Sequence, residues 1–298
     1  MAMEGACEFD IVVADPHGFC SGVKNAIKIA EQTLESSGEP IYCYHELVHN
    51  HIVVDRLVAK GMRFISSIED VPVGGTVLFS AHGVSPEIRE KAKVRNLKVI
   101  DATCVFVQRL HDVALSYVRD GKTVILVGNV GHDEVEGVRG EAPDAIKVVS
   151  TPEEIAALEI DDDGEVAILS QTTIARHQVD TVVEAARKRF PKLERPSRIG
   201  MCFATEERQE AVRAFAGNVD LVIVLGSRTS ANSNRLVDVA SEAGLKAILV
   251  SDVEDLDRFV KSGALQGLRK IGITAGASTP EDVIDGVIEY LSSFKAGQ

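Results

Sequence analysis

The chain has 298 residues, 45% of them hydrophobic, and its 45 acidic against 32 basic side chains give a formal charge of −13. That is enough apolar material for a sizeable core and excludes wholesale disorder. The acidic balance excludes a broad nucleic-acid or anionic-membrane surface, so any anionic ligand must be gathered locally in a pocket.

Length alone suggests about two domains. Taken in order, the chain opens with an apolar run IVVA (11–14), a polar loop HGFC with His17 and Cys20, and a helical stretch over 22–36. The IYCY run, with Cys43 as a core residue, leads into HELVHN, which holds His45 and His49, followed by His51 and a helix over 52–60. A strand TVLFSA (76–81) runs into SAHGVS with His82, then a helix over 86–95. The next strand, LKVIDA (97–102), ends in DATC with Cys104, ahead of a helix over 106–120. TVILVG (123–128) precedes a loop GHDEVEG with His132, Glu134 and Glu136. VAILSQ (166–171) runs into SQTT, with Thr172 and Thr173, before a helix over 176–190. A loop MCFATEE with Cys202 leads to a helix over 207–217. The last part alternates DLVIVLG (220–226), the loop GSRTSANSN, a helix over 233–243, KAILVS (246–251), KIGITAG (270–276), the loop TAGAST with Ser278, and a helix over 280–294.

Runs apolar on both faces that alternate with helices predict an α/β fold with parallel sheets. In such sheets ligands sit at the carboxyl ends of the strands, where the polar loops fall. About nine strand-end loops are too many for one small doubly wound sheet. They suit three similar α/β lobes, over 22–104, 105–201 and 202–298, joined by the N-terminal segment 1–21.

Five cysteines, an odd number, are dispersed along the chain, and the opening MAMEGACEFD has no leader pattern. A disulfide framework is a poor reading, and a reducing cytoplasm is expected. No apolar run approaches the roughly 20 residues that span a bilayer. Cys20, Cys104 and Cys202 stand 84 and 98 residues apart, each between a predicted strand and helix. At a helix N-terminus the dipole favours a thiolate. Three such thiolates suit an iron–sulfur cluster or a zinc ion with one position open to a ligand. Three unrelated buried thiols are the plainer alternative, and Cys7 belongs to a loose terminus. A zinc hydrolase is disfavoured, since no local His or carboxylate pair accompanies the cysteines.

His49, His82 and His132 each fall at a strand end beside Ser, Thr or Asn, which suits oxyanion binding; His111 and His177 fall on helices as solvated residues. Ser227, Ser230, Asn232, Ser233 and Asn234 stand just before a helix, where capping and phosphate binding use the same N–H groups. Glu134 in a partly closed pocket can relay a proton, with Glu136 as competitor. Thr172 and Thr173 either orient that carboxyl or cap the helix near 176.

The set GFCSGV, HELVHN, SAHGVS, DATC, GHDEVEG, SQTT, SNSNRL and TAGAS, in this order from about residue 10 to 291, resembles the IspH/LytB family, the 4-hydroxy-3-methylbut-2-enyl diphosphate reductases. The resemblance implies a cloverleaf of three α/β lobes around a central [4Fe–4S] cluster, which is able to lose its unique iron and become [3Fe–4S]. It implies Cys20, Cys104 and Cys202 as cluster ligands. His49, His82, Ser230, Asn232 and Ser278 match the diphosphate positions, His132 and Thr172 stand beside the substrate hydroxyl, and Glu134 is the proton-delivering acid. The implied reaction is reductive dehydroxylation to isopentenyl and dimethylallyl diphosphate, the last step of the methylerythritol phosphate isoprenoid pathway. Electrons would come from a flavodoxin or ferredoxin.

The chain departs from the commoner pattern at His17, Val105, Asn129, Ala231 and the Glu206–Glu207 pair. An acid in a first helical turn is favoured by the dipole. If one of the pair faced the cluster, it would disfavour an added electron. The alternative readings are thus a divergent paralogue on another allylic substrate and a non-catalytic iron–sulfur redox protein. Glu134 together with the His/Ser/Asn donors favours an enzyme, since an electron carrier needs neither.

Overall fold

The computed structural model describes residues 9–194, 200 and 202–294. Cys7 lies outside the described residues. The described chain forms three parallel sheets, as the buried apolar runs predict. The first contains β2 (Ile41–Tyr44), β3 (Met62–Ile65), β4 (Thr76–Phe79) and β5 (Lys98–Asp101), in the order β3-β2-β4-β5. The second contains β6 (Thr123–Val127), β7 (Ile146–Val149) and β8 (Val166–Ser170), ordered β7-β6-β8. The third contains β9 (Leu221–Leu225), β10 (Ala247–Val250) and β11 (Lys270–Ala275), with β1 (Asp10–Val13) on its edge, ordered β1-β11-β9-β10.

One strand order underlies all three. In each, the first strand of the group lies between the second and the third, and a fourth segment pairs outside the third. In the first sheet that segment is β5. In the second it is reduced to a bridge between Ala167 and Glu194. In the third it is β1, taken from the other end of the chain, in register from Asp10↔Lys270 to Val13↔Ile273. A helix follows soon after each fourth segment: α1 (Ser21–Ser36), α4 (Val105–Arg119) and α8 (Phe203–Arg213). The residue immediately before each of these helices is Cys20, Cys104 or Cys202. The three cysteines thus hold one topological position.

The central strands explain themselves. Every residue of β4, β8 and β9 is buried, so TVLF, VAILS and LVIVL carry no polar–apolar alternation and must be covered by helices on both faces. The remaining helices are α2 (His51–Ala59), α3 (Pro86–Val94), α5 (Asp133–Arg139), α6 (Glu154–Ala157), α7 (Arg176–Arg189), α9 (Ala231–Glu242), α10 (Val253–Lys261) and α11 (Glu281–Ser293). The chain divides into two compact units. One holds the described residues through Cys20, His49–Val53 and those from Phe203; it contains the third sheet. The other, Ser21–Val48 with Val54–Cys202, contains the first two. No helix among the described residues is long and apolar enough to cross a membrane.

Several expectations are corrected. GHDEVEG is not a loop: His132 caps α5, and Glu134 lies in its first turn. The helix placed at 207–217 begins at Phe203, because nothing after Cys202 opposes a helix and the acids suit its N-terminus. Asn232, Ser233 and Asn234 lie inside α9, with Ser230 alone as its cap. Neither Thr172 nor Thr173 caps α7, whose cap residue is Ala175. His111 is buried rather than solvated, because its helix face packs inward, whereas His177 is exposed as expected.

Candidate functional site

In the unit carrying the first two sheets, strand ends set the polar groups. The chain leaves β4 through Ser80, Ala81 and His82, and Gly83 closes the turn with its N–H on the Ser80 carbonyl at 3.2 Å. Gly83 has φ of +74°, the left-handed region that glycine enters without penalty. The turn is fixed from two sides: Ala81 N–H donates to the Leu47 carbonyl (3.1 Å), and the Ala81 carbonyl accepts from the N–H of Cys104 (3.0 Å). A backbone bond therefore ties Cys104 to the His82 turn. The His82 and His132 rings meet edge to face at 5.7 Å.

His132 accepts the Glu134 N–H on Nδ1 at 3.1 Å. A neutral ring in this bond carries its proton on Nε2 and keeps that donor free of the cap. The cap also turns the first helical residues so that Glu134 points inward, where it is 2% exposed. Its two oxygens are held by one residue: the Thr172 N–H donates to Oε1 at 2.6 Å and the Thr172 hydroxyl to Oε2 at 2.7 Å. Burial pushes the Glu134 carboxyl above its ordinary range, with the two Thr172 bonds working against that rise. A carboxyl so placed stays protonated to higher pH than a solvated one and is suited to give a proton away. The Thr172 carbonyl in turn accepts the N–H of Cys202 at 3.3 Å. A continuous path of bonds thus joins the acid, Thr172 and the backbone of a cysteine.

In the other unit, the Cys20 N–H donates to the Ala277 carbonyl at 3.2 Å, beyond the end of β11. Two residues before Cys20, the Gly18 carbonyl accepts from Nε (3.2 Å) and Nη2 (2.7 Å) of the buried Arg208. Arg208 Nη1 also donates to the Ala204 carbonyl at 2.6 Å, so its guanidinium joins the Cys20 turn to the first turn of α8. Ser278 donates to the His49 carbonyl at 3.2 Å. Ser230 accepts the Ser233 N–H at 3.3 Å as the cap of α9. Asn232, 5% exposed, has neither its carboxamide oxygen nor its nitrogen hydrogen-bonded among the described residues. An orphaned buried amide costs on the order of 1–3 kcal/mol for each group, which a polar ligand would relieve. A Cβ added at Gly276 would sit 2.1 Å from Ser233 Oγ, with the Asn232 nitrogen 3.5 Å away, so the Ser233 hydroxyl excludes a side chain where the β11 loop meets α9.

The structure thus joins His82, His132, Glu134, Thr172, Cys104 and Cys202 through local bonds and contacts in one unit. Cys20, His49 and Ser278 are joined at the β11 end of the other, and Asn232 reaches the same loop. None of the three cysteines is in a disulfide among the described residues. Cys43 is a core residue, as its apolar run implies, and burial pushes its thiol strongly up. Sequence reasoning missed three groups. Asp133 takes His45 Nδ1 at 2.6 Å and lies 3.8 Å from His82 Nδ1; adjacency to Glu134 is the only signal for it. Arg208 and His111 carry none, since each reads as a surface position on an amphipathic helix. Glu206 is half-buried and Glu207 exposed, at the start of α8.

A family model described as LytB protein matches residues 11–292. The chain is 46% identical over 281 residues to the 4-hydroxy-3-methylbut-2-enyl diphosphate reductase of Rhodococcus jostii (strain RHA1), covering 94% of this chain and 83% of that one. It is 41% identical over 285 residues to the enzyme of the same description from Dechloromonas aromatica (strain RCB), covering 96% and 92%. Among solved structures, the E-1-hydroxy-2-methyl-but-2-enyl-4-diphosphate reductase from Plasmodium falciparum superposes with a TM-score of 0.91 at 34% identity, covering 96% of this chain and 88% of that one. A structure of (E)-4-hydroxy-3-methyl-but-2-enyl diphosphate reductase, described as the terminal enzyme of the non-mevalonate pathway, gives 0.68 at 34% identity, covering 96% and 99%. The order of the motifs, the three sheets and these matches across nearly the whole length agree: the chain belongs to the LytB protein family.

Proposed function

We propose that this chain catalyses the reductive dehydroxylation of 4-hydroxy-3-methylbut-2-enyl diphosphate to isopentenyl and dimethylallyl diphosphate. The observation that carries the reading is the buried Glu134 carboxyl, held by Thr172 on both oxygens, with Thr172 bonded in turn to Cys202. An acid kept protonated by burial, one residue away from a cysteine backbone, is the arrangement that delivery of protons to a reducing centre requires.

The donor set fits an iron–sulfur cluster with three cysteine ligands: Cys20, Cys104 and Cys202 are outside disulfides among the described residues and share one topological position ahead of a helix. When bound, a [4Fe–4S] cluster of this kind supplies the two electrons and an iron able to take the substrate hydroxyl. The remaining work falls to the chain. His49, His82, Ser230, Asn232 and Ser278 bind the diphosphate as hydrogen-bond donors, which reconciles an anionic ligand with a chain at −13. Asn232 gains partners for an amide otherwise unpaired. His132 and Thr172 orient the hydroxyl end. Glu134 releases the proton carried on its carboxyl, and Thr172 holds the carboxylate that results. The lobes follow 22–104, 105–201 and 202–298, with the N-terminal segment completing the third. A small acidic electron-transfer protein, a flavodoxin or ferredoxin, is the natural donor, and the protein works in the cytoplasm.

The test is an anaerobic assay of the reconstituted holoenzyme with this diphosphate and an artificial one-electron reductant. Formation of the two isoprenoid diphosphates supports the reading. Oxidation of the reductant only with a different allylic alcohol would assign a divergent substrate. A brown protein with no turnover on any allylic alcohol would mark a redox carrier.

A further inference from the structure

His111 lies on α4, the helix that Cys104 caps. Its ring is 2% exposed. Nδ1 lies 2.7 Å from Oε1 of Glu141, just beyond the end of α5. Nε2 is buried and has no hydrogen-bond partner among the described residues. Packing alone does not call for such a group, since an apolar ring would fill the space without an unmet nitrogen, a cost of about 1–3 kcal/mol.

The ring stands between two parts of the site. A Cβ placed on Gly83, which ends the His82 turn, would lie 3.1 Å from His111 Nε2. A Cβ placed on Gly137, on α5, would lie 3.4 Å from the same nitrogen. The imidazole therefore touches the turn that carries His82 and the helix whose first turn carries Glu134. The titratable groups around it are Glu141 beyond α5, Asp133 and Glu134 on α5, and His82 at the neighbouring turn. Burial drives the Glu134 carboxyl up; the two Thr172 bonds act most against that rise, and His111 adds to them.

We propose that the His111–Glu141 pair positions α5 against the His82 turn and sets how readily Glu134 gives up its proton. Glu141 polarises the imidazole, and the field of the ring stabilises the carboxylate left when the Glu134 proton departs. No bond to His111 is made or broken; its proton inventory is the same before and after the step. The pair is a positioning element, and the inference rests on reading Glu134 as the proton donor.

The experiment is a pH profile of kcat for the reconstituted holoenzyme with 4-hydroxy-3-methylbut-2-enyl diphosphate, comparing wild type, His111→Gln, Glu141→Gln and the double variant, with Glu134→Gln alongside. Losing either partner removes the field that favours the carboxylate, so the alkaline limb moves to higher pH, by roughly half a unit or more. The double variant moves no further than the larger single one, because the two residues act as one unit. KM and the cluster absorption stay at wild-type values. Limbs that coincide with wild type, or a raised KM with no movement of the limb, would overturn the proposal and leave the pair a packing feature. If His111→Gln fails to fold, Glu141→Gln, which keeps an acceptor for Nδ1, decides alone. Turnover retained in Glu134→Gln would instead remove the proton-donor reading, and the present inference with it.

Discussion

Glu134 owes its behaviour to two opposed effects, burial raising its proton affinity and Thr172 lowering it, and burial dominates. Two outcomes follow at this scale. Glu134→Gln should retain KM and the cluster spectrum while kcat falls on the order of 10²–10⁴-fold in steady-state assays. The same variant should also be the more stable protein at neutral pH. A carboxyl whose folded pKa is raised contributes its full stability below the ordinary value of 4.5 and loses it as pH climbs through the folded value. The Tm of wild type should therefore drop relative to Glu134→Gln as pH rises above 4.5, in a pH series of melts. His45 is raised too, for a different reason. Its bond to Asp133 is the main cause that raises its pKa, against a smaller opposing cost of burial. Asp133→Asn should bring the His45 titration down in histidine-resolved NMR, and the stability the pair provides should be present at acid pH and fade as His45 deprotonates. Glu134 was legible in the sequence because a motif surrounds it. Asp133 was not, because a carboxylate beside another carries no spacing signal of its own, and His111 was not, because helical position does not state which face packs inward.

At the level of elements, strands read well where both faces are apolar. β8 and β9, five residues each, are long enough and hydrophobic enough to be unmistakable, and β4 belongs to the longer run TVLFSA. IYCY reads only as a core run, and MRFI and IKVV give no strand signal, because a four-residue strand with polar members looks like any connector. Helix α5 escaped notice for the opposite reason. Its acids and its His cap look like a functional loop, yet they are what a helix N-terminus favours. The start of α9 shows how closely sequence serves such an element. A Cβ on Gly226 or on Gly276 would come 2.1 Å from Ser233 Oγ, so two strand ends, β9 and β11, close directly onto the first turn of the helix. Gly276→Ala should destabilise the protein by about 1–3 kcal/mol in urea titrations, because backbone and a buried helix must part to admit a methyl group. The same substitution should weaken substrate binding, since Asn232 adjoins the glycine.

On the scale of the molecule, the near-equal cysteine spacing predicted three similar lobes, and the repeated strand order supplies the physical basis: each group of strands ends in a fourth-position segment that feeds a cysteine and a helix. The sequence could not disclose that the third group borrows this segment from the opposite end of the chain. Nothing in IVVA names its partner, because parallel pairing at long separation leaves no local trace. Deleting the chain through Val13 should expose the open edge of β11 and make the third sheet the first place cut in limited proteolysis.

That borrowing imposes a timetable on synthesis. While the ribosome is still making the middle of the chain, β1 has already emerged but has no strand to join, and the turn that holds Cys20 has no Ala277 carbonyl on which to rest. Cys20, translated before Cys104 and Cys202, thus waits longest for its place. A polypeptide terminated before β11 lacks both the partner strand of β1 and the carbonyl on which the Cys20 turn rests.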